Sequence, residues 1–135
     1  MKNNIIFKYQ LKDAWGMELT SLEITNEKEN NIHIKEYEKD ETSYATIDPN
    51  IIENIISKYS KELPNCKEFP HAFVNDGYHN VFYFKDSGKI EINNLYYLEP
   101  TDKNVKLILD IYEEIYNALS PIISNKIKKS FVLSI

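Results

Sequence analysis

Two turn motifs bracket an unbroken β-prone run in the middle of this chain. Asn75-Asp76-Gly77 opens it, Val81-Phe82-Tyr83-Phe84 fills it, and Asp86-Ser87-Gly88 closes it ahead of Ile90 and Ile92. Asp-Gly and Ser-Gly steps provide the left-handed backbone positions that tight hairpins require. The spacing predicts an antiparallel meander over 71–97, and a long amphipathic helix follows it. Register can be read from the faces. A three-residue loop, Asp86-Ser87-Gly88, sets Phe84 opposite Ile90 and Phe82 opposite Ile92, which keeps one buried face. The other face then carries Tyr83 opposite Glu91, Val81 opposite Asn93, and His79 near Leu95.

The first third reads as strands. Phe7, Tyr9 and Leu11 alternate with Lys8, Gln10 and Lys12, the period of a half-buried strand. Asp13-Ala14-Trp15-Gly16 breaks that run. Met17, Leu19, Leu22 and Ile24 form a second strand whose phase slips, so a bulge or bend is expected at Thr20-Ser21. Asn26 to Asn31 is a polar hairpin loop. Ile32, Ile34 and Glu36 alternate with His33, Lys35 and Tyr37 in a third strand, and Tyr44 to Ile47 makes a short fourth. Asp48 then caps a helix with Pro49 at its first position. Ile51, Ile52, Ile55, Ile56 and Tyr59 share one face of it, and Pro64 stops it.

The last helix starts at Thr101 or Asp102, after Pro100. Val105, Ile108, Ile111, Tyr112, Ile115 and Leu119 form its apolar stripe, widened by Leu107, Leu109, Tyr116 and Ala118. Ser120-Pro121 ends or kinks it. A short further helix over 121–129 and an apolar tail, Phe131 to Ile135, complete the chain. Strands and helices do not alternate strictly. The expected class is therefore α+β: an antiparallel sheet in the order strand meander, helix, hairpin, helix, with two main helices packed on one face. At 135 residues one domain, 1–135, is expected, large enough for a core without disulfides or metals.

Asn75-Asp76-Gly77-Tyr78, the aromatic strand after it, Gly88-x-Ile90 and Pro100 ahead of a final helix resemble a pattern found in small bacterial proteins of unknown function. The resemblance covers roughly residues 71–119. The tryptophan often seen after the Asp-Gly turn in those proteins is absent, with Val81 or Phe82 standing nearby. The resemblance implies no functional residues.

Charge and motif content exclude several classes. Net charge is −5, and every basic residue is lysine. Arginine is the usual bidentate grip on phosphate and base edges, so nucleic acid is not the expected partner; an AT-rich bacterial genome also explains the lysine bias. Cys66 is the one cysteine, which fits a reducing cytoplasm. The N-terminus lacks a signal-peptide apolar region, and no run reaches the ~20 apolar residues of a membrane helix. A cytoplasmic protein is expected. With three glycines in the whole chain no glycine-rich phosphate cradle can be built. Gly-x-Ser-x-Gly and His-Glu-x-x-His are also missing.

Cys66, His71, Asp76 and His79 fall within fourteen residues, but the thiol is alone and tight ligand pairs are lacking, so no metal site is assigned. Asp76 is explained by its turn. Cys66 with His71 has no local oxyanion-hole signal and reads as a loop thiol. Glu91 beside Tyr83 and His79 is the best acid–base grouping, though an ordinary polar sheet face explains the same residues. Glu113 and Glu114 diverge by about 100° on a helix and make no carboxylate pair. Of the ten tyrosines, Tyr37, Tyr44, Tyr78, Tyr83, Tyr96 and Tyr97 lie in or next to strands, where tyrosine serves both sheet packing and recognition.

These features favour binding over catalysis, with no cofactor. The candidate face holds His79, Tyr83, Glu91 and Asn93 and would meet a protein partner. Small size and acidity fit an immunity-type protein that neutralises a basic partner. The alternatives are a small-ligand protein or minor enzyme with a pocket between sheet and helix, and a structural accessory that dimerises through the tail Phe131 to Ile135.

Overall fold

The computed structural model describes residues 4–37, 40–70, 77–93, 98, 99 and 101–123. It contains β1 (Ile5–Lys12), β2 (Glu18–Thr25), β3 (Ile32–Glu36), β4 (Glu41–Ala45), α1 (Pro49–Ser57), a 3-10 turn (Leu63–Asn65), β5 (His79–Phe84), β6 (Gly88–Asn93) and α2 (Lys103–Leu119). The six strands form one sheet in the order β4-β3-β2-β1-β5-β6, every neighbouring pair antiparallel. The chain leaves the β4 edge, passes through α1, and returns to pair β5 with the free side of β1. The fold is α+β, with the helices packed against the sheet.

Strand alternation places Phe7 and Tyr9 of β1, Leu22 and Ile24 of β2, Ile32 and Ile34 of β3, Phe82 and Phe84 of β5, and Ile90 and Ile92 of β6 in the core. β1 contributes one residue more than the alternation predicts. Its pairing with β2 slips between Ile5 and Phe7, so Ile6 is an extra residue and joins Phe7 in the core. The second slip is the bulge expected in β2. It falls at Leu19 rather than Thr20-Ser21, because Leu11 pairs with Thr20 and Lys12 with Glu18.

Both helices start on an aspartate. The Asp48 carboxylate accepts from Asn50 N–H at 3.0 Å, and that of Asp102 accepts from Asn104 and Val105 at 3.0 and 3.1 Å. Each cap satisfies donors that a helix leaves open. The buried residues of α2 are Val105, Ile108, Ile111, Tyr112, Ile115 and Leu119, the predicted stripe. At about 1.5–3 kcal/mol for each large apolar side chain removed from water, this face anchors the fold. The Tyr112 ring lies 5.3 Å from that of Tyr9 and 6.1 Å from that of Phe82. α1 is shorter than its apolar spacing suggests: it ends at Ser57, buries Ile52 and Ile56, and leaves Ile51 exposed. The fourth strand starts earlier than Tyr44, at Glu41. Residues 124–135, which include the expected short helix and the tail, lie outside the described residues.

The β5–β6 register differs from expectation by two. Phe84 pairs with Gly88, Phe82 with Ile90 and Asn80 with Ile92. The cause is Asp86. It takes a left-handed φ of 70°, as Gly88 does at 79°, and Ser87 N–H closes the turn on Phe84 carbonyl at 3.1 Å. Aspartate tolerates that region better than most residues, so the turn forms one step earlier than glycine alone dictates. An even slip leaves every side chain on its expected face.

Candidate functional site

The sheet face turned away from the helices holds all four residues singled out above. Three strands build it in three rows. Lys12, His79 and Asn93 form one row, Gln10, Val81 and Glu91 the next, and Lys8, Tyr83 and Lys89 the third. The slipped register decides the neighbours. His79 faces Asn93 instead of Leu95, with His79 Nδ1 and Asn93 Oδ1 hydrogen-bonded at 2.5 Å. Tyr83 faces Lys89 instead of Glu91, and Val81 faces Glu91 instead of Asn93.

That arrangement keeps His79 and Tyr83 apart and sets Glu91 diagonal to each of them. His79 and Tyr83 are four residues apart on one strand, about 13 Å at the usual rise. Glu91 stands across from Val81, between the two rows, and its Oε2 lies 3.9 Å from Lys89 Nζ. At the rim Lys8 Nζ lies 3.8 Å from Glu23 Oε2, and Gln10 donates to Glu18 at 2.5 Å. The three rows carry Lys8, Lys12 and Lys89 against Glu91. The acidic surplus of the chain is therefore not on this face.

A hollow of about 250 Å³ opens here, lined by Ile5, Lys8, Gln10, Val81, Tyr83 and Lys89. Pockets for drug-sized ligands run from about 300 to 1,000 Å³ and enclose most of their ligand; this one is smaller and open. Val81 forms its floor, only 4% exposed although it stands outside the main apolar cluster. The alternative site, between sheet and helix, is occupied among the described residues by core side chains such as Phe7, Tyr9, Phe82 and Ile108.

The remaining candidates separate. Cys66 is a loop thiol, and it is sealed from solvent. It is fully buried at the end of the 3-10 turn, with Sγ 3.6 Å from the Asn104 carbonyl. Burial, reinforced by the nearby Asp102 charge, pushes the thiol up to about 11. A thiol that stays protonated is no nucleophile. His71, Asp76, Tyr96 and Tyr97 lie outside the described residues. Among the described residues no group of His, Cys, Asp and Glu side chains is arranged to hold a metal ion. No described helix is long and apolar enough to cross a membrane. Tyr44 and Tyr78 are exposed, and Tyr44 packs edge-on against His33 at 5.1 Å.

Sequence reasoning treated Trp15 only as part of a break between strands. It stands on the tip of the β1–β2 hairpin, the most exposed of the large apolar side chains described. A tryptophan between Asp13 and Gly16, both turn formers, was the signal that could have found it.

Fold and site together define an α+β protein with one sheet face covered by helices and a second face carrying a mixed polar and apolar surface. No family model, curated protein or solved structure matches the chain.

Proposed function

We propose that this chain is a protein-binding module whose contact surface is the outer face of β1, β5 and β6. The observation that carries this reading is the shape and lining of that face. Its hollow is smaller and more open than the pocket of a drug-sized ligand, and it is floored by Val81 and flanked by Tyr83. Such a depression accepts a side chain from a partner, and half-buried tyrosine is a favoured contact residue. His79, Glu91 and Asn93 supply polar groups around it. The net charge of −5 favours a basic partner at long range. That supports an immunity-type role, with the steering charge supplied by the whole molecule rather than by this face.

The test is affinity capture from native lysate with the wild type and a Tyr83→Ala/Glu91→Lys variant side by side, followed by titration of the purified partner. The expected result is one stoichiometric partner, bound at least about 30-fold more weakly by the variant, with both proteins melting at the same temperature. Equal binding by a folded variant sinks the reading. A small molecule released from the native protein in mass spectrometry would replace it with the ligand-binding alternative.

A further inference from the structure

The β1–β2 hairpin tip is built more firmly than a connection requires. Asp13 Oδ1 accepts from the backbone N–H groups of Trp15 and Met17 at 2.9 and 3.0 Å. Asp13 N–H donates to the Met17 carbonyl at 2.9 Å, and Gly16 N–H donates back to the Asp13 carbonyl at 3.0 Å. Gly16 takes φ 83°, the left-handed position that ends a three-residue hairpin loop. The backbone on both sides of Trp15 is thereby tied down. The side chains it presents are apolar and open to solvent: Trp15 is 79% exposed and Met17 68%. Exposed single apolar residues need no explanation. Here a tryptophan and a methionine stand together on a turn held by four hydrogen bonds, and both residue types are enriched in interfaces.

The same end of the sheet is rich in carboxylates. Glu18 pairs with Lys12 beside the tip, and Glu36 and Glu41 pair with each other one row on, next to Asp40 in the following turn. Among the described residues of this end, Lys12 and Lys35 are the lysines beside them. That charge selects among three occupants. Anionic lipid headgroups would be repelled. A second copy of this chain would bring two like-charged ends together in a two-fold contact. A protein with an apolar pocket rimmed by lysine or arginine would be attracted.

We infer that the Asp13–Met17 hairpin tip is the anchor of this binding module, with Trp15 inserting into an apolar, basic-rimmed pocket on a protein partner. The inference rests on the protein-binding reading above and adds its hot spot and the partner's chemistry. The row Lys12-His79-Asn93 makes the tip continuous with the outer face.

Trp15 is the chain's one tryptophan, so its emission reports this site alone. The full chain is prepared with photoreactive p-benzoylphenylalanine in place of Trp15 or, as a control, of Glu29 in the β2–β3 turn. Each is irradiated in native lysate, and any crosslinked protein is purified and titrated. The expected result is a crosslink from position 15 alone to a protein that shifts Trp15 emission to the blue. Its binding weakens at least about 30-fold in Trp15→Ala and also weakens as salt rises. No crosslink from position 15, or Trp15→Ala binding within about 3-fold of wild type, overturns the inference. So does a blue shift with vesicles of zwitterionic or anionic lipid, or one that grows with the concentration of the chain alone. The Tyr83→Ala/Glu91→Lys variant separates the two proposals. If only that variant fails to bind, the face stands and the anchor falls; if only Trp15→Ala fails, the anchor stands and the face falls.

Discussion

Asn31 is the residue on which the meander is fastened to the first helix. It is fully buried. Its Nδ2 donates to the Thr25 and Ile47 carbonyls at 3.2 and 2.8 Å, and its Oδ1 accepts from Ile47 N–H at 2.9 Å. The side chain acts as an extra peptide group between the β2–β3 turn and the segment entering α1. Asn31→Ala leaves a buried N–H and two buried carbonyls without this partner, at about 1–3 kcal/mol for a group left unsatisfied. A loss of roughly 2–3 kcal/mol is expected in urea unfolding, against less than about 0.5 kcal/mol for Asn26→Ala on the exposed turn. Equal effects from the two substitutions would refute the role. In the sequence, Asn31 is indistinguishable from its neighbours in a polar loop. What sets it apart is the Ile47 backbone, sixteen residues away. Asn80 is similar: it accepts from Tyr9 hydroxyl at 2.8 Å inside the core, a contact across strands that no local pattern announces.

Elements differ in how much of their placement is local. The start of α2 and its buried stripe follow from Asp102 and a 3.6-residue period, and both were legible. Its tie to α1 was not. Lys58 and Tyr59, just after α1, both donate to the Glu114 carboxylate on α2. Hydrogen bonding from Lys58 and then Tyr59 holds that carboxyl below its ordinary 4.5. The same bond, with burial, pushes the Tyr59 hydroxyl up to about 12. A lowered folded-state value means the carboxylate stabilises the fold above 4.5, and the contribution fades as pH falls through the lowered value. Because Glu114 and Lys58 are partly exposed, it should amount to no more than about 1 kcal/mol. Melting curves of wild type and Glu114→Gln between pH 6 and pH 3 should converge toward the acid end. Parallel curves would show that the tie carries no charge-dependent stability. The β5–β6 hairpin is an intermediate case. Its faces were legible from alternation, but its register depended on whether Asp86 or only Gly88 turned left-handed.

At the scale of the whole molecule the decisive fact is the strand order. The crossover through α1 brings β5 beside β1, which places Phe82 against Tyr9 and Phe84 against Phe7, ring centroids 5.0 and 5.5 Å apart. It also brings the 3-10 turn to the start of α2 and closes Cys66 beneath it. With the thiol pushed from 9.0 up to about 11, the thiolate fraction at pH 8 is about 100-fold smaller than for an unperturbed thiol, and the sulfur is shielded as well. Labelling with an aromatic disulfide reagent at pH 8 should therefore proceed only through unfolding. Its rate should rise with urea in step with the loss of structure seen by circular dichroism. Rapid labelling of the native protein would show that Cys66 is reachable.

By itself the sequence determined what local chemistry can specify. That includes the helix caps, the α2 stripe, the alternation in β1, β3 and β5, and the face on which His79, Tyr83, Glu91 and Asn93 stand. Each depends on residues within a few positions of one another, where period and turn propensity act directly. Tertiary structure decided which strand lies beside which, and hence that Tyr83 meets Lys89, that His79 bonds Asn93, that Cys66 is sealed, and that Trp15 stays in water. Those outcomes depend on contacts between segments far apart in the chain. The free energy of such a contact belongs to both segments at once, so neither stretch of sequence carries it alone.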